Sequence, residues 1–252
     1  MAEVLALSPQ VLRHPSPGAF RSGLAEATLR SLGRRGKFIR FQLSGGELLV
    51  VHLGMSGTLT LEEPVEPVRP HTHLRLLLDS GREIRYRDPR RFGRVMLGAE
   101  AELVALGLLP HLGPEPLARA FAGWVPEERV RRSRRAVKAV LLDQGVVAGC
   151  GNIYADEACF LARLRPSRAA AQLSVREWGR LMAALSVVMR EAIRRRGTSF
   201  SDYRDGFGAR GEAYEALMVY GRGGLPCVRC GRPLETTQVA GRTTVYCRRC
   251  QR

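Results

Sequence analysis

The chain has 252 residues, 45% of them apolar, enough for one large core or two smaller ones. No run approaches the roughly eighteen apolar residues that a membrane helix needs, and no charged-then-apolar leader opens the chain, so membrane and secreted classes are set aside and a cytoplasmic monomer is expected. Lysine and arginine number 40 against 24 acidic residues, a net charge of +16, and a surplus of that size predicts a polyanionic partner, nucleic acid before any other.

Residues 1–110 read as strands. "KFIRFQL", "ELLVVHL", "TLTLEE", "HLRLLLD", "EIRYRD" and "RVMLG" alternate at period two, with turn signals at "SGG" and "DSGR". That pattern predicts an antiparallel sandwich or barrel. Between two of these runs lies "HLGMSG", residues 52–57, which puts the unbranched apolar Met55 at the tip of a glycine-flanked turn. Such a side chain is either tucked back into a core, where Met fills gaps well, or held out for something to press against.

"HLGPEPL", residues 111–117, reads as a linker, and the period then becomes helical over a section taken as 111–222. The basic run "RRSRR" at 131–135 is expected at the start of a helix. "KAVLLDQGVVAGCGNIYADEACFLARL" holds an apolar helix ending near Gln144, a glycine-rich turn, and a second helix capped by Asn152. The free N–H groups at that helix start could receive a DNA phosphate, and an ordinary capped hairpin fits equally well. "SVREWGRLMAALSVVMREAIRRRG" opens with a capping box, Ser174 with Glu177, and carries Trp178, Leu181, Leu185, Val188 and Ala192 on one face.

The last section, 223–252, holds four of the six cysteines: Cys227, Cys230, Cys247 and Cys250. Two C-x2-C pairs sixteen residues apart can each set two thiolates on one side of a tight turn, and together they complete a closed tetrahedral site for one structural zinc. Cys150 and Cys159 read as small packing residues. Between the pairs, "LETTQVA" and "TTVYC" alternate like strands around a two-residue "GR" turn, which would set Arg242 at the tip of a metal-held finger.

Seven features stand in order: "RRGKF", "HLGMSG", "DPRRFG", "LGPEPL", "GNIYADEA", "VYGRGGLPC" and the terminal finger. Together they resemble the formamidopyrimidine-DNA glycosylase / endonuclease VIII family of DNA repair enzymes, from about residue 4 to the end. The resemblance implies an α+β protein: an N-terminal antiparallel β-sandwich, a helix-two-turn-helix domain and a C-terminal β-hairpin zinc finger, with damaged double-stranded DNA between the first two. It also implies a bifunctional glycosylase and AP lyase. Chemistry on a base inside a duplex requires that the base be flipped out, at a cost of a few kcal/mol. By the resemblance, Met55, Arg90 and Phe92 fill the gap: the apolar pair as wedges, Arg90 as donor to the orphaned base opposite. His71 and Asn152 match positions that hold the DNA backbone. Arg242 matches the finger arginine that contacts the phosphate flanking the lesion and is linked to strand cleavage. A further phosphate contact falls near Ser133, where Arg132 and Arg134 flank it, and Arg134 is taken for that role.

The reaction implied is base removal by an amine attacking C1′ to form a Schiff base, followed by β- and δ-elimination. An α-amino group, with a pKa of about 8, supplies far more neutral amine at pH 7 than a lysine near 10.4. The family uses an N-terminal proline followed by a catalytic glutamate, assisted by a lysine that matches Lys37. The chain begins "MAEVLALSPQ", and "EVLALSPQVLRHP" resembles the strand that follows the family's opening helix. The expectation is an N-terminally short chain in which Lys37 is the remaining amine and excision is slow. The segment 198–222 resembles the oxidised-purine branch and is expected to fold over the flipped base. A non-catalytic binder of damaged or abasic DNA and an endonuclease VIII-like enzyme for oxidised pyrimidines are the alternatives. A regulatory zinc-ribbon DNA binder would explain the cysteines but not "DPRRFG" or "HLGMSG".

Overall fold

The structure, a computed structural model, describes residues 2–25, 27–198 and 204–252. Its contacts divide the chain into two compact units, Met1–His111 with Arg196–Glu212, and Leu112–Arg195 with Ala213–Arg252.

The first unit is a β-sandwich. Its strands are β1 (Ala2–Leu7), β2 (Leu12–His14), β3 (Leu29–Arg35), β4 (Phe38–Leu43), β5 (Leu48–His52), β6 (Thr58–Glu62), β7 (Thr72–Leu78), β8 (Glu83–Arg87) and β9 (Arg94–Gly98). One sheet has the order β1-β7-β8-β6 and the other β2-β9-β5-β4-β3. Period-two alternation turns Leu74, Leu76, Ile84 and Tyr86 of the first sheet toward Phe41, Leu49, Val51 and Val95 of the second, and these side chains form the core. The continuous run "LLVV" of β5 is buried along its length, as expected of a central strand covered on both faces.

Two helices interrupt this strand-rich section, contrary to the all-strand reading. α1 (Pro17–Ala25) begins with proline, whose fixed φ suits the first helical position, and it buries Phe20 and Leu24 one turn apart. Its two glycines and nine residues give little helical signal in sequence. α2 is Glu100–Ala105. Lys37 also departs from the strand reading. It sits in the tight turn between β3 and β4, beside Gly36 at φ 56°.

The second unit contains α3 (Glu128–Arg131), α4 (Val137–Leu142), α5 (Asn152–Leu161) and α6 (Val175–Arg194), then a hairpin of β10 (Glu235–Val239) and β11 (Arg242–Tyr246). The capping box on α6 forms as expected, Ser174 with Glu177. Its buried stripe is Trp178, Leu181, Met182, Leu185, Met189 and Ala192, so Met189 takes the core place expected of Val188, which lies half-buried on the flank. "RRSRR" does not open a helix: Arg131 ends α3 and the rest of the run leads to α4. Among the described residues no helix is long and apolar enough to cross a membrane.

Candidate nucleic-acid interface

In the sandwich unit, the β5–β6 turn (53–57) and the β8–β9 turn (88–93) share one anchor, the side chain of Asp88, which is 0% exposed. Its Oδ1 accepts from Ser56 Oγ at 2.6 Å and from the Arg90 N–H at 3.3 Å. Its Oδ2 accepts from the Gly93 N–H at 2.8 Å and the Tyr86 hydroxyl at 3.1 Å. Burial alone would raise the pKa of this carboxyl; the bonds from Ser56, Gly93, Tyr86 and Arg90 outweigh burial and hold it below the usual range. The backbone of Asp88 is fixed too: its N–H donates to the His71 carbonyl and its carbonyl accepts from His73 Nε2, both at 3.0 Å.

Glycine lets the two turns touch. A Cβ on Gly54, which has φ 65°, would lie 2.6 Å from the Gly93 nitrogen, and one on Gly93 would collide with the Tyr86 hydroxyl. His52 completes the brace by accepting the Gly54 N–H at Nδ1, 3.1 Å away. That bond needs a neutral ring. Burial, then the charges of Arg94 and Lys37, push the His52 pKa down and keep the ring neutral. The strand register brings Lys37 to this corner, since the next residue, Phe38, pairs with His52.

What these turns display is apolar. Met55 is 69% exposed and Phe92 60%, so Met55 is held out rather than tucked into the core. A turn held by buried hydrogen bonds that keeps Met and Phe in water makes this corner a candidate contact surface. Arg90 and Arg91 differ in the same way. Arg91 is tied to Gln10 Oε1, whereas the Arg90 guanidinium makes no bond among the described residues. His71 is exposed at the edge of this corner with φ 67°. The corner therefore gathers Lys37, Met55, His71, Arg90 and Phe92, and sequence reasoning missed its two organisers, Asp88 and His52.

In the second unit, the hairpin tip is tied to the start of α5. Asn152 Nδ2 donates to the Thr243 carbonyl at 3.1 Å. Asn152 is not the cap: Gly151, with extended backbone, occupies that place, and Asn152 is the first helical residue with its side chain spent on the hairpin. The glycine-rich turn before it is held by Gln144, which accepts from the Gly149 N–H at 2.9 Å and donates to the Cys150 carbonyl at 2.8 Å. The hairpin turn is one residue earlier than the "GR" reading. Val239 pairs with Arg242, and Ala240 and Gly241 both take positive φ, 51° and 69°, as a turn matched to strand twist requires. Arg242 opens β11, exposed and unpaired among the described residues.

Under the tip lies a fully buried ion pair. Lys138 Nζ is 2.7 Å from Asp156 Oδ1 and also donates to Thr244 Oγ1 at 2.7 Å and the Thr243 carbonyl at 3.0 Å. Asp156 Oδ2 accepts the Val245 N–H. Burial pushes the Asp156 carboxyl up to about 6 against the pull of Lys138. Next to it, Glu157 accepts three consecutive backbone N–H groups, Met218 to Tyr220, each at 2.8 Å. "DEA" in "GNIYADEA" thus pins two later segments to α5.

At the other end of the hairpin the ligand atoms of Cys227, Cys230, Cys247 and Cys250 lie within 4.8 Å of one another. The Cys227–Cys250 and Cys230–Cys247 sulfurs are 3.9 and 3.6 Å apart. Tetrahedral zinc with bonds of about 2.3 Å requires edges of about 3.8 Å, so the four sulfurs fit it. Cys150 and Cys159 are buried packing residues in the helical core. Arg134 is exposed and unpaired among the described residues, while Arg132 pairs with Glu128 and Arg135 with Asp143. Residues 199–203 of the expected capping segment 198–222 lie outside the described residues.

Three domain families match in chain order: the formamidopyrimidine-DNA glycosylase N-terminal domain over residues 1–95, its H2TH domain over 112–204, and the zinc finger found in FPG and IleRS over 224–252. The formamidopyrimidine-DNA glycosylase of Geobacillus kaustophilus is 45% identical over 245 residues, covering 97% of this chain and 89% of its own. The chain belongs to the formamidopyrimidine-DNA glycosylase family. The Moorella thermoacetica relative of the same name is 47% identical over 235 residues, 93% of this chain and 86% of its own. Among solved structures, the MutM (Fpg) protein of Thermus thermophilus superposes with a TM-score of 0.85 at 44% identity, covering 99% of this chain and 90% of that one. The Lactococcus lactis Fpg bound to DNA containing an abasic site gives the same TM-score at 30% identity and the same coverage. Family membership and sulfur geometry agree on the metal: the four cysteines hold one structural zinc.

Proposed function

We propose that the protein excises oxidised purines, 8-oxoguanine and formamidopyrimidines, from duplex DNA and cleaves the resulting abasic strand by β,δ-elimination, acting as a monomer on DNA in the cytoplasm. The observation that carries this reading is the Asp88-braced pair of turns holding Met55 and Phe92 in solvent. Apolar wedges on a fixed frame suit a stack from which one base has been removed. The Lactococcus lactis Fpg, solved with abasic DNA and with Fapy-dG DNA, supports the substrate class.

In this reading Met55 fills the vacated place, Phe92 wedges between its neighbours, and the unpaired Arg90 guanidinium donates to the orphaned base. His71, Arg134 and Arg242 contact phosphates with their side chains, and Asn152, whose side chain is held by Thr243, does so with its backbone N–H at the start of α5. The freedom of Arg90, Arg134 and Arg242 beside neighbours already tied to Gln10, Glu128 and Asp143 supports that choice of arginines. Lys37 is the candidate amine. Its neutral Nζ attacks C1′, the base leaves with the bonding electrons, and loss of the amine proton with ring opening gives the Schiff base. Loss of a C2′ proton then expels the 3′ phosphate. The positive charge that Lys37 directs at His52 is consistent with a cationic corner suited to a phosphate-rich substrate.

The test is a single-turnover reaction with a duplex containing 8-oxoguanine, with borohydride trapping. Base release, strand scission and a trapped adduct lost in Lys37→Ala are expected. Absence of base release by zinc-loaded protein would overturn the reading, and trapping unaffected by Lys37→Ala would remove Lys37 from its role.

A further inference from the structure

The zinc hairpin has a second basic end that the lesion-binding reading does not use. Behind the knuckle, within the second unit, lies a basin of about 720 Å³ lined by Arg163, Arg168, Arg180, Arg229, Arg249 and Arg252, with Glu177 as the single acid. It is far from the tip: the five residues of β11 separate Arg242 from the knuckle by about 17 Å at roughly 3.3 Å per residue.

The lining arginines fall into two groups. Arg168 pairs with Glu177 at 2.7 Å, Arg180 donates to the Ala162 carbonyl at 2.9 Å, and Arg229 donates to the Phe160 carbonyl at 2.7 Å with its guanidinium 4.2 Å from the Phe160 ring centre. These three are positioned by the fold. The guanidiniums of Arg163, Arg249 and Arg252 are exposed and have no partner among the described residues. A zinc tetrathiolate carries two negative charges, and Cys250 lines the basin, so part of the positive charge offsets the metal site. Six guanidiniums against the Glu177 carboxylate, the α-carboxylate of Arg252 and that dianion still leave an excess of two.

The donors are all guanidiniums, suited to paired phosphate oxygens. Among the described residues no aromatic side chain lines the basin on which a base could stack, and the one acceptor, Glu177, is already held by Arg168 and the Ser174 cap. Such a surface reads phosphates and not bases. We propose that this basin binds the backbone of a second nucleic-acid segment, so that the protein holds an undamaged duplex behind the finger while the lesion corner is occupied. The proposal rests on DNA being the partner, but it adds a separate site.

The test occupies the lesion site with a short tetrahydrofuran-containing duplex and then titrates a labelled undamaged duplex of about 30 base pairs at several salt concentrations. The expected result is a ternary complex whose affinity falls about tenfold or more in the triple variant Arg163→Gln/Arg249→Gln/Arg252→Gln, with a salt slope smaller by about two to three. Zinc content, melting, binding of the short tetrahydrofuran duplex and excision on a short 8-oxoguanine duplex should stay unchanged, which separates this result from misfolding. Failure to bind the short tetrahydrofuran duplex or to cut the short 8-oxoguanine duplex would count against the proposed function and not against the basin. No ternary complex, or one formed equally by the triple variant, would overturn the basin proposal. So would retention of inorganic tripolyphosphate in a basin that no duplex enters.

Discussion

The two corners that carry the candidate contact residues are braced in different ways. In the sandwich unit a single buried carboxylate, Asp88, gathers four donors and locks two turns, with glycines allowing the backbones to meet. In the second unit the hairpin is fixed at one end by zinc and at the other by the Lys138–Asp156 pair and the Asn152 side chain. The first device is short-range and holds apolar side chains out. The second spans a hairpin and holds out a cation. In the proposed reading a wedge has to keep its shape against a stack, and Ser56, Tyr86 and the Arg90 and Gly93 N–H groups are tied to Asp88 while the Arg90 guanidinium is left free. The phosphate contact proposed for Arg242 needs only a located charge, which fits a side chain left without a partner among the described residues.

The largest expected effect comes from the metal. Structural zinc contributes about 10 kcal/mol or more in small fingers. Chelation or Cys247→Ser should remove the hairpin and lower DNA affinity by orders of magnitude; differential scanning calorimetry should show the loss in the second unit's transition, with the sandwich transition kept. Next is the buried pair. Lys138→Met removes the partner that favours the ionised Asp156, so the buried carboxyl must take up a proton or stay unpaired, at a cost of about 3–5 kcal/mol by chemical denaturation, and Asp156→Asn combined with it should recover part of that. Asp88→Ala strands Ser56, Tyr86 and the Gly93 N–H at about 1–3 kcal/mol each, less whatever water recovers. Its melting should fall by an amount similar to that of Lys138→Met, but with weaker lesion binding and intact zinc content.

A smaller effect should appear with pH. The His52 pKa is lowered by folding, so the unfolded chain binds the proton more readily. The contribution of His52 to stability is present above its unfolded value of about 6.5 and is lost as pH falls through the folded value. Protonation would also turn Nδ1 into a donor facing the Gly54 N–H. Lesion affinity should therefore weaken as pH falls through the folded value, which lies below the ordinary histidine value, over and above the behaviour of a His52→Gln variant measured in parallel.

Much of this architecture was legible in the sequence. The strands after residue 37 stand out because alternation is strong there, and the cysteine spacing names its metal because ligand geometry demands it. α1 escaped because Phe20 and Leu24 make only one helical turn among weak helix formers. The hairpin turn was displaced by one residue because glycine was taken as its first position, whereas Ala240 accepts a positive φ there. Asn152 looked like a cap because asparagine favours that position; its side chain serves Thr243, a partner 91 residues away. Asp88 and His52 show the general limit. Their types are ordinary at strand ends, and only the meeting of two distant turns gives them a role.

The claim that the Asp88 frame exists to hold a wedge is tested most directly with Met55→Ala. Binding would be measured to one lesion in two settings, paired within a duplex and pre-flipped in a bulge. Because flipping costs a few kcal/mol and about 1.4 kcal/mol is a factor of ten, loss of the filler should weaken binding to the paired lesion by about tenfold or more. The bulged lesion should be bound within about twofold of the unaltered protein, and the melting temperature should not change, since Met55 is 69% exposed. Equal losses on both substrates, or a drop in stability that accounts for them, would contradict the account.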